Sequence, residues 1–372
     1  MENLCLVKEL VRPGDYFCKI DLTDAHFTVA IHPSHHKYLS FAWKNKFYSF
    51  VCLPFGVSTA PRVFTKILKV IVSHLRRKGI RLIVYLDDML VMAGDSARCR
   101  QDALTTRDFL VHVGFIPNAG KSILVPTQRI ICLGSGLDSK YMYLFLPDDK
   151  LQDLTQLAEL VLQADRLTAR ELASVIGKFQ AASVSVLLGP LHFRGLQMLL
   201  IASLQQTSRR WQAQVVLTDD ARRDLRWWRD NLPHFNHRPI HCPESDVVVE
   251  SDASLRGWGA FSNGSSTGGE WSSLEGHRHI NQLEMLAATL AVKSFCKDRT
   301  NVSVRIKSDN STVVSYINRR GGTRSPALST LALELWSYCV ERSLLLSAEF
   351  VPGLDNGRAD HRSGNFTRST EW

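Results

Sequence analysis

No two of the eight cysteines stand in a C-x-x-C spacing, so the 372-residue chain shows neither a cysteine zinc site nor a disulfide framework. They are scattered singly, at Cys5, Cys18, Cys52, Cys99, Cys132, Cys242, Cys296 and Cys339, as suits a reducing, intracellular setting. No apolar run approaches the ~20 residues that cross a bilayer, so no membrane partner is expected. The opening stretch from Met1 to Val11 is broken by Glu2, Lys8 and Glu9 and does not read as a secretory signal. Tandem repeats and low-complexity tracts are also absent, which argues against solenoids and fibrous folds.

What remains is an ordinary globular composition, 45% hydrophobic and 22% charged, in a chain long enough for two or three domains. The net charge of +9 is unevenly spread. Residues 1–150 hold 20 Lys and Arg against 13 Asp and Glu, residues 151–245 hold 11 against 9, and residues 246–372 hold 14 against 14. A basic N-terminal half suits a phosphate backbone, whose condensed counterions Lys and Arg displace. A solvated basic surface explains the charge equally well.

Three zones differ in pattern. Residues 1–147 mix short β-rich runs with turns. Phe17–Ile20 and Phe27–Ile31 read as strands flanking an acidic turn, Phe47–Cys52 as a further strand, and Pro61–Gly79 as a helix with Pro at its start and Gly at its end. Arg81–Val91 reads as a hairpin turning at Asp87-Asp88. Residues 148–235 have helical period: Leu151, Leu154, Leu157, Leu160 and Val161 form an apolar stripe. Thr168 and Glu171 make a capping box, and Asp219–Asn231 is a third helix carrying Trp227 and Trp228, for which core packing is favoured over nucleic-acid contact. Residues 236–245 read as a linker. From Asp246 the order strand, strand, strand, helix, strand, helix, strand, helix fits an α/β domain over 246–372, with Gly264–Gly269 as a hairpin turn.

Two groups of acids carry chemistry. Asp21 ends one apolar run, and Asp87-Asp88 interrupts another between Leu82-Ile83-Val84 and Met89-Leu90-Val91. Adjacent carboxylates in an apolar hairpin are costly unless a cation or partner neutralises them. Mg²⁺ is the natural cation, since it prefers oxygen ligands and substrate phosphates. A surface turn is the plainer reading of any lone Asp-Asp pair. In the last zone, Asp252 closes the Val247–Val249 strand, Glu284 sits in a helix, Asp309 follows the strand through Ile306, and Asp360 precedes His361. Singly, each reads as a strand-end turn, a helix face or an N-cap.

Together these residues resemble a known family. Ile20-Asp21-Leu22-Thr23-Asp24-Ala25, Leu53-Pro54-Phe55-Gly56-Val57-Ser58-Thr59-Ala60-Pro61 and Tyr85-Leu86-Asp87-Asp88 resemble motifs A, B and C of reverse transcriptases. Gly114-Phe115, Asn118 and Lys121-Ser122 resemble motif D, and Leu133-Gly134 the primer-grip region. The resemblance implies a right-hand polymerase palm with partial fingers and a helical thumb. Asp21 and Asp87 are then the main metal ligands with Asp88 in support, and Asp24 is structural. Phe55 and Gly56 line the nucleotide and template pocket. Lys121 assists with phosphate charge or proton transfer, unless it is a plain surface lysine.

Asp252, Glu284, Asp309 and Asp360 match the D-E-D-D order of ribonucleases H, implying an α/β domain of that type that cuts RNA in RNA/DNA hybrids. Gly189–Leu196 and Asp224–Trp228 are most similar to DIRS-type (tyrosine-recombinase) retrotransposons. The implied cofactor is Mg²⁺, two ions per site, with Mn²⁺ as a substitute. The implied partners are an RNA template, a DNA primer, the RNA/DNA hybrid and dNTPs.

The chain departs from the pattern in three places. His26 stands where the family has the Tyr or Phe that excludes the ribose 2′-hydroxyl, so weakened sugar discrimination is expected. Phe350 stands where many ribonucleases H place a histidine that helps product release, so slower turnover is expected. Family members also carry more fingers sequence before motif A, which points to a fragment of a larger element product. From that, two alternatives follow: only the ribonuclease H domain works, or the chain is a non-catalytic nucleic-acid-binding remnant.

Overall fold

The computed structural model describes residues 2, 4–241 and 244–352, and the chain divides into two compact units. Residues 1–150 with 236–241 form the first, and residues 151–235 with 242–372 the second.

The first unit begins with α1 (Leu4–Leu10) and β1 (Tyr16–Thr23). A β-ribbon follows, β2 (Ser40–Trp43) and β3 (Lys46–Ser49), turning through Lys44 and Asn45, both at positive φ. Helix α2 (Ala60–Arg77) has Pro61 in its first turn and leads to β4 (Arg81–Tyr85), β5 (Asp88–Ala93) and α3 (Ser96–His112). Strands β6 (Ile116–Pro117) and β7 (Ile123–Thr127) complete a sheet in which β1 pairs antiparallel with β5, β6 and β7, and β5 pairs with β4.

The sheet's apolar side chains pack with the inward stripe of α2 (Phe64, Leu68, Ile71, Leu75) and with Cys99, Ala103 and Leu110 of α3. A second sheet of β8 (Arg129–Cys132), β9 (Ser135–Asp138) and β10 (Tyr143–Phe145) is extended by Arg238–Pro239, so part of the segment read as a linker pairs with Tyr143 and Leu144.

In the second unit, α4 (Asp148–Gln163), α5 (Ala169–Ala182), α6 (Arg194–Gln206) and α7 (Asp219–Asp230) build a helical layer. The Thr168–Glu171 capping box opens α5 with both reciprocal bonds formed. Trp228 is fully buried, stacked on Phe179 at 4.4 Å, and its Nε1 donates to His192 O at 2.8 Å. Trp227 lies against the His192 ring at 4.1 Å. Asp224 is buried beneath the start of α6, where its Oδ2 accepts from Leu196 N at 3.2 Å. The motif around the tryptophans therefore builds the helical core.

The rest of this unit holds a mixed sheet: β11 (Val247–Ala253), β12 (Gly257–Ser262), β13 (Ser265–Glu270), β14 (Ser303–Ser308) and β15 (Leu345–Phe350), in spatial order β13-β12-β11-β14-β15. The first three run antiparallel, and β11-β14-β15 run parallel. Helices α8 (Ile280–Phe295), α9 (Ser311–Asn318) and α10 (Pro326–Glu341) supply the rest of the core. Leu188 and Leu191 belong to that same core, and Arg194 donates to Arg319 O at 2.7 Å. The helical layer and the sheet are thus one packed body.

Four local expectations are corrected. β1 runs straight through Asp21, and Ala25–Thr28 is a 3₁₀ turn where a second strand was expected at Phe27–Ile31. Asp24, at φ +49, breaks the extended chain there. Gly264–Gly269 is mostly strand, because a turn at Asn263-Gly264, both at positive φ, lets Ser265 onward pair with β12. The buried stripe of α4 is Leu154, Ala158 and Val161, whereas Leu160 is exposed; a period of 3.6 turns it away from that face. Finally, two helices rather than one separate β14 from β15.

Candidate functional site

The first group of acids gathers at one end of the first unit's sheet. The β4–β5 hairpin turns at Leu86-Asp87, with Leu86 at φ +55. A non-glycine residue there costs about 1–2 kcal/mol, so packing elsewhere must hold the turn. Leu22 N donates to Asp87 O at 3.1 Å, and Asp21 stands directly opposite Asp88 in the β1–β5 register. Like charges at such a pair repel. Burial pushes the Asp21 carboxyl upward; Asp88 and Asp87 add to this, and Lys121 opposes it.

Lys121 belongs to a loop docked on the Asp21 backbone. Asn118 N donates to Asp21 O at 2.7 Å, and Asp21 N donates to Ser122 Oγ at 3.1 Å. The Asn118 side chain in turn accepts from Gly120 N and Lys121 N. Lys19, which the sequence reading passed over, has its Nζ 3.0 Å from Asp88 Oδ1. The signal was its position two residues before Asp21, on the same face of a strand.

His26 is 8% exposed, edge-on to Phe55 at 5.0 Å and to Phe64 at 4.8 Å, and its Nε2 lacks a hydrogen-bond partner. Phe55 is itself 65% exposed, and Gly56 holds φ +91, a backbone a side chain would strain.

The second group is tighter. The parallel pairing of β11 with β14 brings Asp252 and Asp309 to the same end of the sheet, and α8, packed across β11, presents Glu284 to them. Carboxylate oxygens of Asp252, Glu284 and Asp309 all lie within 4.8 Å of one another, and among the described residues no other three such side chains are so placed. Burial, then Asp252 and Asp309, push the Glu284 carboxyl up to about 8, against a backbone hydrogen bond from Ala253. Its Oε2 is buried without a hydrogen-bond partner.

An orphaned carboxylate oxygen facing two more carboxylates fits a hard divalent cation, which prefers oxygen ligands. The Asp309 loop is tied to α8 by Asn310 Nδ2 donating to Asn281 Oδ1 at 3.0 Å. Phe350 pairs with Ser308, one residue before Asp309, and is half exposed. A cleft of about 820 Å³ opens beside Asn281, lined also by Arg194, Thr312, Tyr316, Arg319 and Arg324. Asp360 lies outside the described residues.

The first of these acid groups lies in a stretch of the chain that resembles known proteins. Residues 6–137 match the model of the reverse transcriptase (RNA-dependent DNA polymerase) family. The chain is 22% identical over 385 aligned residues to the enzymatic polyprotein of cauliflower mosaic virus strain D/H, an alignment that covers 96% of the chain and 52% of that protein. It is 24% identical to polyprotein P3 of Commelina yellow mottle virus over 253 residues, 66% of the chain and 12% of that protein. The chain thus spans about half the length of the cauliflower mosaic virus relative. Among solved structures, the foamy viral protease-reverse transcriptase in complex with RNA/DNA hybrid aligns with a TM-score of 0.56 at 17% identity, covering the whole chain and 48% of that protein. The same protein with double-stranded DNA gives 0.55 at 17% identity, covering 94% of the chain and 71% of that protein. The fold is of the reverse transcriptase palm type.

Proposed function

We propose that this chain is the part of a retroelement polyprotein that copies RNA into DNA at Asp21, Asp87 and Asp88 and cuts the RNA strand of the resulting hybrid at Asp252, Glu284, Asp309 and Asp360. Residues 1–147 are read as palm and partial fingers, 148–235 as thumb or connection, 236–245 as a linker and 246–372 as a ribonuclease H-like domain. The DIRS-type assignment rests on Gly189–Leu196 and Asp224–Trp228.

The polymerase reading is carried by the domain match together with the register that sets Asp21 opposite Asp88 beside the β4–β5 turn that carries Asp87. Charge supports a nucleic-acid partner: residues 25–86 hold ten Lys and Arg and not one Asp or Glu. The β2–β3 ribbon adds exposed aromatics, Trp43 at 61% and Phe47 at 88%, of the kind on which bases stack. His26 would meet the sugar, Phe55 and Gly56 would line the nucleotide and template pocket, and Lys121 would meet the phosphates. The nuclease reading is carried by the Asp252–Glu284–Asp309 cluster, and the arginines of the cleft beside it suit a polyanion.

At each site the acids would hold two Mg²⁺, with Mn²⁺ as a substitute; when bound, such ions lower the pKa of the attacking hydroxyl or water and stabilise the leaving oxygen. The chain's own contribution is placement. The β1–β5 register sets Asp21 against Asp88, and the Asn281–Asn310 bond keeps the Asp309 loop beside Glu284.

Primer extension on poly(rA)/oligo(dT) and cleavage of an RNA/DNA hybrid test the two halves. The expected result is that Asp87→Asn abolishes extension, while Asp252→Asn and Glu284→Gln each abolish cleavage. Equal extension by Asp87→Asn removes the first half, and undiminished cleavage by both other variants removes the second. One observation favours a second reading, in which only the nuclease works: the second acid group is gathered within 4.8 Å and the first is not. Cleavage without extension by the wild type is its signature.

A further inference from the structure

Strand β4 is the edge of its sheet, with β5 on one side of it. Antiparallel pairing turns alternate backbone groups away from the partner, so an edge strand presents donors and acceptors outward. Two of those on β4 are taken by side chains. Val84 N donates to Glu2 Oε2 at 2.8 Å, and Leu82 O accepts from Arg76 Nη2 at 2.8 Å and from its Nε at 3.3 Å. Arg76 and Glu2 also join each other, with Nη2 2.7 Å from Oε1 and 2.9 Å from Oε2. A Glu–Arg pair thus lies where a further strand would bond. At the other end of β4, Arg81 donates to Leu10 O at 3.0 Å and to both carboxylate oxygens of Asp15. The segment that carries α1 is pinned to the edge at both ends.

We infer that Glu2 is a positioning residue: with Arg76 it fixes the outer edge of β4 and, through Val84, the turn that presents Asp87. This rests on the polymerase reading of Asp87. Val84 is two residues before Leu86, whose φ of +55 a non-glycine residue resists. Packing on this side of the turn is incomplete, because Glu2, Arg76, Val84 and Leu86 line a cavity of about 250 Å³. The inner side of the turn is held by Leu22 N donating to Asp87 O at 3.1 Å. On the outer side the hold is the Glu2 carboxylate. Glu2 and Arg76 are 26% and 38% exposed, so their ion pair by itself contributes little. The charge-assisted bonds from the pair to the β4 backbone are the stronger part.

The test is amide hydrogen exchange on the full chain, read at single residues, alongside primer extension. Glu2→Ala should speed exchange at Val84 by about tenfold, the effect of losing one hydrogen bond to a charged acceptor. Leu86 and Asp87 should exchange faster too, while the amides of β1 and α2 keep their wild-type rates. Glu2→Gln should behave like the wild type, because its amide oxygen can still accept from Val84 N. In extension, Glu2→Ala should lower kcat about tenfold with little change in the KM for dNTP, as when a reacting group is displaced and substrate contacts are kept. Glu2→Gln should recover most of that rate. Arg76→Met should give the same pattern more weakly, and it is the second variant should Glu2→Ala fold poorly.

Unchanged exchange at Val84 in Glu2→Ala overturns the inference. So does acceleration that spreads equally over β1 and α2, which is lost stability without positioning. A wild-type kcat in Glu2→Ala, or a Glu2→Gln protein as slow as Glu2→Ala, overturns it as well. If the wild type fails to extend primers while exchange at Leu86 and Asp87 still depends on Glu2, the polymerase reading falls and the hold on the turn stands.

Discussion

Glu284 and Asp224 are buried acids whose protonation changes on folding. Glu284 is pushed from 4.5 up to about 8, first by burial and then by its two acidic neighbours. Asp224 is pushed from 3.8 up to about 7 by burial, against backbone hydrogen bonds from Leu196 and Gly195. In both cases the folded chain binds a proton that the unfolded chain has released. Stability therefore falls as pH rises from about 4.5 to about 8 for Glu284, and from about 4 to about 7 for Asp224. Thermal melts in EDTA across pH 4–9 should show this decline. Glu284→Gln and Asp224→Asn should each flatten their own part of it. Added Mn²⁺ should restore stability at high pH in the wild type and in Asp224→Asn, but much less in Glu284→Gln. A wild-type profile that rises over this window would show that neither carboxyl is protonated in the folded state.

The helices of the second unit show how local rules and packing divide the work. The capping box at Thr168 is a local device, and Thr168→Ala should cost about 1 kcal/mol, read from a denaturant midpoint. The contacts of α6 and α7 are tertiary. A Cβ on Gly195 would meet the Asp220 backbone and Asp224 Oδ2, each at 2.9 Å, so Gly195→Ala should destabilise by more than a propensity change alone, which would favour alanine. Trp228→Ala removes a fully buried ring and leaves His192 O without its donor; a loss of about 3–5 kcal/mol is expected in the same measurement. A cost below about 1 kcal/mol would place Trp228 outside the core and reopen a nucleic-acid role for it.

Over the whole molecule, the two acid groups lie in different compact units, so their activities should separate. Asp87→Asn should leave hybrid cleavage at wild-type rate, and Glu284→Gln should leave primer extension so. Binding of a primer-template should weaken steeply with salt, because the basic surplus lies in the first 150 residues. Anisotropy titrations between 50 and 200 mM salt would read the slope, and a flat response would remove the polyanion reading.

The sequence determined the points where short-range physics suffices. The β4–β5 hairpin, the Thr168 cap and the helix opened by Pro61 are set by turn chemistry, capping and apolar period. Each depends on residues close in the chain, so each could be read there. Asp21, Asp87 and Asp88 stood out because acids beside apolar runs are costly, and Asp252, Glu284 and Asp309 through their order along the chain. What the sequence left open depends on contacts between distant residues. Lys19 reaches Asp88 only because β1 and β5 share one register, and Ser122 meets Asp21 across 101 positions of chain. His26 is buried only because Phe55 and Phe64 close on it. The proton affinity of Glu284 follows from two carboxylates that lie 32 residues before it and 25 after it in the chain and within 4.8 Å of it in space. Charge, burial and register act through distance in three dimensions, and only the folded chain fixes that distance.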